Sequence, residues 1–137
     1  MFGWLRRVLG RGKPPPPRVM LSDDLFQFEN GGVPASLAFD DLAAIVIETN
    51  DTGPWGEDVI WHLFGRAEGS CLSIPQAAEG FSPLLERLQR LPGFDNEQVI
   101  AAMGSAALNA FLCWEADGQV RADSALLGFA RFRRAQA

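Results

Sequence analysis

From Val19 onward the chain alternates short apolar runs with turn-forming residues, the pattern of extended strands joined by brief connections. Strands are expected at residues 19–21, 25–29, 33–39, 42–49, 58–64 and 70–74. Ile45, Val46 and Ile47 are all β-branched, which suits a central strand. In the next run Val59, Trp61 and Leu63 alternate with Ile60, His62 and Phe64. Both faces of that strand therefore carry apolar groups, and both are expected to be covered. Asn30, Gly31 and Gly32 suit a tight hairpin, because Asn and Gly tolerate the positive φ such turns need. Residues 65–69 supply a second, longer turn.

After residue 80 the period changes to that of helices. Ser82 is placed as an N-cap with Pro83 at the first helical position, where a missing N–H costs nothing. Leu84, Leu85, Leu88 and Leu91 form one face of this helix, Glu86, Arg87, Gln89 and Arg90 the other, and Pro92-Gly93 ends it. Asp95 is set to cap a second helix, with Gln98 able to reach back to the cap and Phe94 and Val99 at the two positions of a hydrophobic staple. Gly104 marks the end of that helix. Residues 110–114 read as a returning strand. Residues 124–134 can form a last helix with a partial apolar face of Leu126, Phe129 and Phe132.

Strands first and helices second, with short connections, indicate the α+β class: an antiparallel sheet or partly open barrel of about six to seven short strands, with two helices after the strand-rich half. Three segments follow: residues 1–18 as a basic amphipathic segment and proline spacer, 19–120 as a single α+β domain, and 121–137 as a basic C-terminal tail.

The stretch from Ile47 through Glu48, Thr49, Asn50, Asp51, Thr52 and Gly53 to Pro54, the following Glu57 to Trp61, and Leu91 to Glu97 resemble a family of small proteobacterial proteins. The likeness covers about residues 39–114 and implies no activity. The strand-rich first half, the run from Phe39 to Ile45 and the late leucine-faced helix also resemble bacterial pleckstrin-homology-like domains.

Charge divides the chain in the same places. Residues 19–120 hold three arginines against sixteen carboxylates, a net of −13, while the N-terminal end carries +5 and the C-terminal end +3. On a helical wheel Phe2, Trp4, Leu5, Val8 and Leu9 fall on one side of the first thirteen residues and Arg6, Arg7, Arg11 and Lys13 on the other. A basic face opposite an aromatic and aliphatic one suits a helix lying in an anionic lipid interface. Three glycines and the short length make that helix form on contact rather than alone in water. Pro14 to Pro17 then make a stiff spacer of roughly 12 Å. No apolar run reaches the length of a spanning helix, and the early arginines interrupt any secretory signal, so a cytoplasmic protein, peripheral at the inner membrane, is expected. Cys71 and Cys113 are read as two small buried side chains in a reducing compartment.

Candidate chemistry is sparse. His62 is the only histidine, which removes the common zinc and hydrolase designs and favours a structural role. The loop with Asn50, Asp51, Trp55, Glu57 and Asp58 is the best ligand-binding candidate on the body, together with His62. Its spacing fails the EF-hand pattern, since the twelfth position from Glu48 is Val59. No metal or cofactor motif is present; residues 10–14 lack the features of a phosphate loop. The acidic body makes specific nucleic-acid binding a poor reading. The leading reading is a non-catalytic binding or adaptor domain for a protein partner, held at an anionic membrane surface through Phe2, Trp4, Leu5, Arg6, Arg7 and Arg11. The alternatives are an acidic inhibitor or immunity-type protein covering a basic partner, and a small enzyme using His62.

Overall fold

A computed structural model describes residues 16–50, 59–116 and 124–136. The amphipathic first segment and Asp51, Trp55, Glu57 and Asp58 lie outside the described residues. The fold is α+β, with seven strands in two antiparallel sheets that do not close into a barrel. Strands β1 (Arg18–Leu21), β2 (Leu25–Glu29) and β3 (Ala35–Ala38) form a meander. A 3₁₀ turn at Phe39–Asp41 leads into β4 (Leu42–Thr49), β5 (Val59–Gly65) and β6 (Cys71–Pro75). Helices α1 (Phe81–Gln89) and α2 (Asn96–Met103) follow. The chain then returns as β7 (Asn109–Glu115) beside β4, giving the second sheet the order β6-β5-β4-β7, and ends in α3 (Ala125–Gln136).

The main core lies between the two sheets and the first two helices. Phe26, Ile45, Ile47, Trp61, Leu63, Ile74, Leu84 and Leu88 are all shut off from solvent there. Trp61 illustrates the economy of the packing: its ring meets Phe81 at 5.2 Å between centroids, while its indole N–H donates to Gln76 Oε1 at 2.9 Å. The large apolar surface is buried and its one donor is satisfied.

The outer face of the four-stranded sheet has a core of its own. Ala44 and Val46 of β4, and Ala110 and Leu112 of β7, pack against Leu127 and Ala130 of α3. Three alanines in this set let the helix approach the sheet closely. Of the eight β4 side chains, only Glu48 is not buried, so β4 is covered on both faces, as its unbroken apolar run requires.

α3 also explains the basic C-terminus. β7 is an edge strand, and its outward carbonyls need donors. Arg133 Nε donates to Ala110 O, Arg134 Nη1 to Leu112 O at 3.4 Å, and the Asp95 backbone N–H to Cys113 O at 2.8 Å. Arg133 further donates to Gln98 Oε1 at 2.6 Å and stacks its guanidinium 4.0 Å over the Phe111 ring. Arg134 pairs with Asp95 at 2.9 Å and Arg131 with Glu115. The described arginines of the C-terminal segment thus dock on the body.

Several local expectations need correction. The first helix starts at Phe81 with Gly80 as its N-cap, not at Ser82. Burial of Phe81 against Trp61 draws the helix start forward, and Pro83 is tolerated because the first four N–H groups of a helix have no internal partner. Gly80 is required there: its φ is 79°, and a Cβ would lie 2.4 Å from Val19 O. The tight hairpin at Asn30-Gly31-Gly32 is instead a wider turn, because pairing of β2 with β3 stops at Phe28 and Ala35. Asp95 caps α2 as expected, accepting from Glu97 N at 3.0 Å and Gln98 N at 3.3 Å, but the Gln98 amide turns to Arg133 instead of the cap. The last helix forms where the sequence allowed one, over Ala125–Gln136, after the returning strand β7.

If Arg133 caps the edge of β7, Arg133→Ala leaves a part-buried carbonyl unpaired and is expected to cost about 1–3 kcal/mol in urea denaturation. Arg131→Ala breaks only a partly exposed ion pair and should cost about 0–1 kcal/mol. Equal losses would contradict the edge-capping role.

Candidate functional site

α3 covers the β4 and β7 half of the outer sheet face and leaves the β5 and β6 half less covered. Strand alternation puts Glu48, His62 and Ser73 in phase on this face, and the ladder sets His62 opposite both Val46 and Ser73. The imidazole bridges its two neighbours: Nε2 lies 2.7 Å from Glu48 Oε1 and Nδ1 lies 2.8 Å from Ser73 Oγ. An ionised carboxylate accepts only, so Glu48 places the proton on Nε2. In the neutral ring, Nδ1 is then the acceptor for the Ser73 hydroxyl.

Serine, histidine and carboxylate in a row have the composition of an acyl-transfer triad, with the nitrogen roles exchanged relative to that template. Ser73 here addresses Nδ1, the nitrogen next to the ring's own attachment point. It also sits mid-strand in β6, not on a sharp strand-to-helix turn of the kind that presents an activated serine. The network satisfies polar groups on a half-covered face and fixes the ring.

Next to it lies a cleft of about 360 Å³, between the β5–β6 hairpin and the start of α3. Phe64, Ala67 and Leu126 supply apolar wall, and His62, Cys71 and Ser124 supply polar atoms. Ser124 Oγ accepts from Leu127 N at 3.4 Å, which fixes its side chain at the first turn of α3. The arrangement offers an apolar hollow with a few pre-oriented polar groups, the usual make-up of a recognition cleft.

The two cysteines differ. Cys71 is exposed, contrary to the expectation that both are buried: among the described residues β6 is an edge strand and no layer lies over this part of its outer face. Partial burial of its sulfur raises the thiol above its usual range. Cys113 lies in the main core, where burial, and then the Asp95 carboxylate, push it up to about 12.

Of the residues expected to bind ligand, His62 lines the cleft. Asn50, half-buried just after β4, is not part of its wall. Asp51, Trp55, Glu57 and Asp58 lie outside the described residues, as do Phe2, Trp4, Leu5, Arg6, Arg7 and Arg11. Sequence reasoning missed Glu48, Cys71, Ser73 and Ser124. The first three share the strand phase of His62, but only the pairing register brings three separate runs into one row. Among the described residues no group of His, Cys, Asp and Glu side chains is placed to hold a metal ion, and no helix is long and apolar enough to cross a membrane. Comparisons of the chain with protein-family models, with curated proteins and with solved structures find no match.

The thiols give a direct check. Iodoacetamide should label Cys71 in the native protein and Cys113 only after unfolding, read by mass spectrometry. The fold retains the Cys113 proton to about 12, whereas a free thiol ionises near 9.0, so stability should fall as pH climbs through that interval. The chain contains no tyrosine to titrate there. Cys113→Ala should flatten the fall, and an unchanged slope would contradict the assignment.

Proposed function

We propose that the protein is a non-catalytic binding or adaptor domain that takes a protein partner on the β5 and β6 side of its four-stranded sheet. The cleft between the β5–β6 hairpin and α3 carries this reading: an apolar hollow beside a histidine whose ring is held from both sides. Such rigidity favours recognition, since little side-chain freedom remains to be lost on binding.

Charge supports a second feature of the same proposal. Arg131, Arg133 and Arg134 are engaged within the body, by Glu115, Gln98, Asp95 and the edge of β7. Another concentration of basic residues lies in the first segment, at Arg6, Arg7, Arg11 and Lys13. With the apolar wheel of Phe2, Trp4 and Leu5, they suit contact with an anionic inner-membrane surface, which would hold the domain beside its partner.

Ala67 is exposed in the hairpin turn and lines the cleft, so Ala67→Trp fills the hollow without entering a core. A partner crosslinked to the wild-type chain should be lost with this variant, and equal recovery would overturn the cleft as its seat. For the first segment, replacing Arg6, Arg7, Arg11 and Lys13 with Gln in the full chain should weaken co-sedimentation with phosphatidylserine vesicles at least about tenfold. Unchanged binding would remove the membrane from the proposal.

A further inference from the structure

The two edges of the four-stranded sheet are treated differently. The β7 edge is capped by Arg133, Arg134 and the Asp95 N–H. At the other end of the sheet, no described strand pairs with the outer side of β6. The register shows what that side offers. Gly65 N donates to Ser70 O at 2.8 Å and Gln76 N to Val59 O at 3.0 Å, so the hydrogen-bonded pairs between β5 and β6 continue at Leu63 with Leu72 and Trp61 with Ile74. Cys71, Ser73 and Pro75 fall between them and turn their backbone groups away from β5. A proline at the last of these positions agrees, because it has no N–H to give the ladder. Pro75 O is taken by Ala78 N at 3.0 Å. The N–H and C=O of Cys71 and Ser73 remain, on two exposed residues whose side chains project on the cleft face.

We infer that β6 is the docking edge for an extended, basic peptide segment of the partner, added antiparallel as a further strand with an apolar side chain in the cleft. The inference rests on the reading of the β5 and β6 side as the recognition surface, and names the class of partner. Backbone hydrogen bonds to Cys71 and Ser73 supply attachment, and the cleft beside the strand supplies selection at alternate positions. No described strand pairs with the outer side of β3 either, but the cleft wall takes no residue from β3. The charge of the peptide follows from the surroundings. Asp40 and Asp41 lie at the hairpin end, where the Arg66 backbone N–H donates to Asp41 O at 2.8 Å. The one basic residue of the hairpin, Arg66, stands beside them, donating through Nε to Asp40 O at 3.2 Å, so two carboxylates face one cation there. An acidic peptide would meet a net negative charge at the hairpin end of the strand.

The probe is a heptapeptide alternating lysine and valine, titrated into the full-length protein by NMR. Its binding should slow amide exchange at Cys71 and Ser73. Ser73→Pro removes the outward N–H while leaving the ladder to β5 intact, and should weaken binding at least about tenfold; Ser73→Ala, which loses only the hydroxyl, should stay within about twofold. A probe-side control avoids any question of folding. In antiparallel addition the residues opposite Cys71 and Ser73 share their face, so valines entering the cleft point their N–H groups at β6. N-methylation of the valines should abolish binding, and N-methylation of the lysines should not. Equal affinity for wild type and Ser73→Pro, equal effects of the two methylations, equal binding of a glutamate-valine peptide, or no binding would each overturn the inference. Shifts at Phe64 without protection of Cys71 and Ser73 would overturn the edge while leaving the cleft as the seat. Loss of the edge together with full partner recovery by Ala67→Trp would overturn both.

Discussion

Burial of β4 on both faces is the constraint from which the rest of the architecture follows. A strand reading Leu-Ala-Ala-Ile-Val-Ile leaves no side for water, so the fold must supply two layers. The three-stranded sheet with α1 and α2 supplies the first, over Ile45 and Ile47. α3 supplies the second, over Ala44 and Val46. Even the polar end of the strand is closed: Thr49 is fully buried and donates its hydroxyl to Ala107 O at 2.8 Å.

Covering the second face with a single helix has a consequence for function. One helix spans roughly 10 Å, about two strands. α3 lies over β4 and β7 and reaches the edge of β7 with its arginines. The β5 and β6 half is left with His62, Ser73, Cys71 and the cleft. The proposed recognition surface is thus the part of the sheet that the last helix does not reach, and the capped and uncapped edges follow the same division.

The sequence was most legible where local chemistry decides. β2 and β4 run over the residues expected from alternation, and Asp95 caps α2 as its position implies. It was less legible where tertiary contacts override local preference, as when burial of Phe81 moves the start of α1 ahead of Ser82. The basic tail was ambiguous for a related reason. Arg133 and Arg134 answer the unpaired carbonyls of Ala110 and Leu112, and nothing in the tail itself announces which strand will be an edge. The candidate site was legible only at His62. Glu48 and Ser73 lie 14 and 11 residues away along the chain, and only the strand register makes them its partners.

The claim that α3 is an integral layer, not an appendage, can be tested by urea denaturation of a chain ending at residue 124. Without Leu127, Ala130 and the arginine caps, β4 loses its second cover and β7 its edge donors. The expected result is loss of the single cooperative transition or a large fall in its midpoint. A transition with the midpoint and steepness of the full chain would contradict the account.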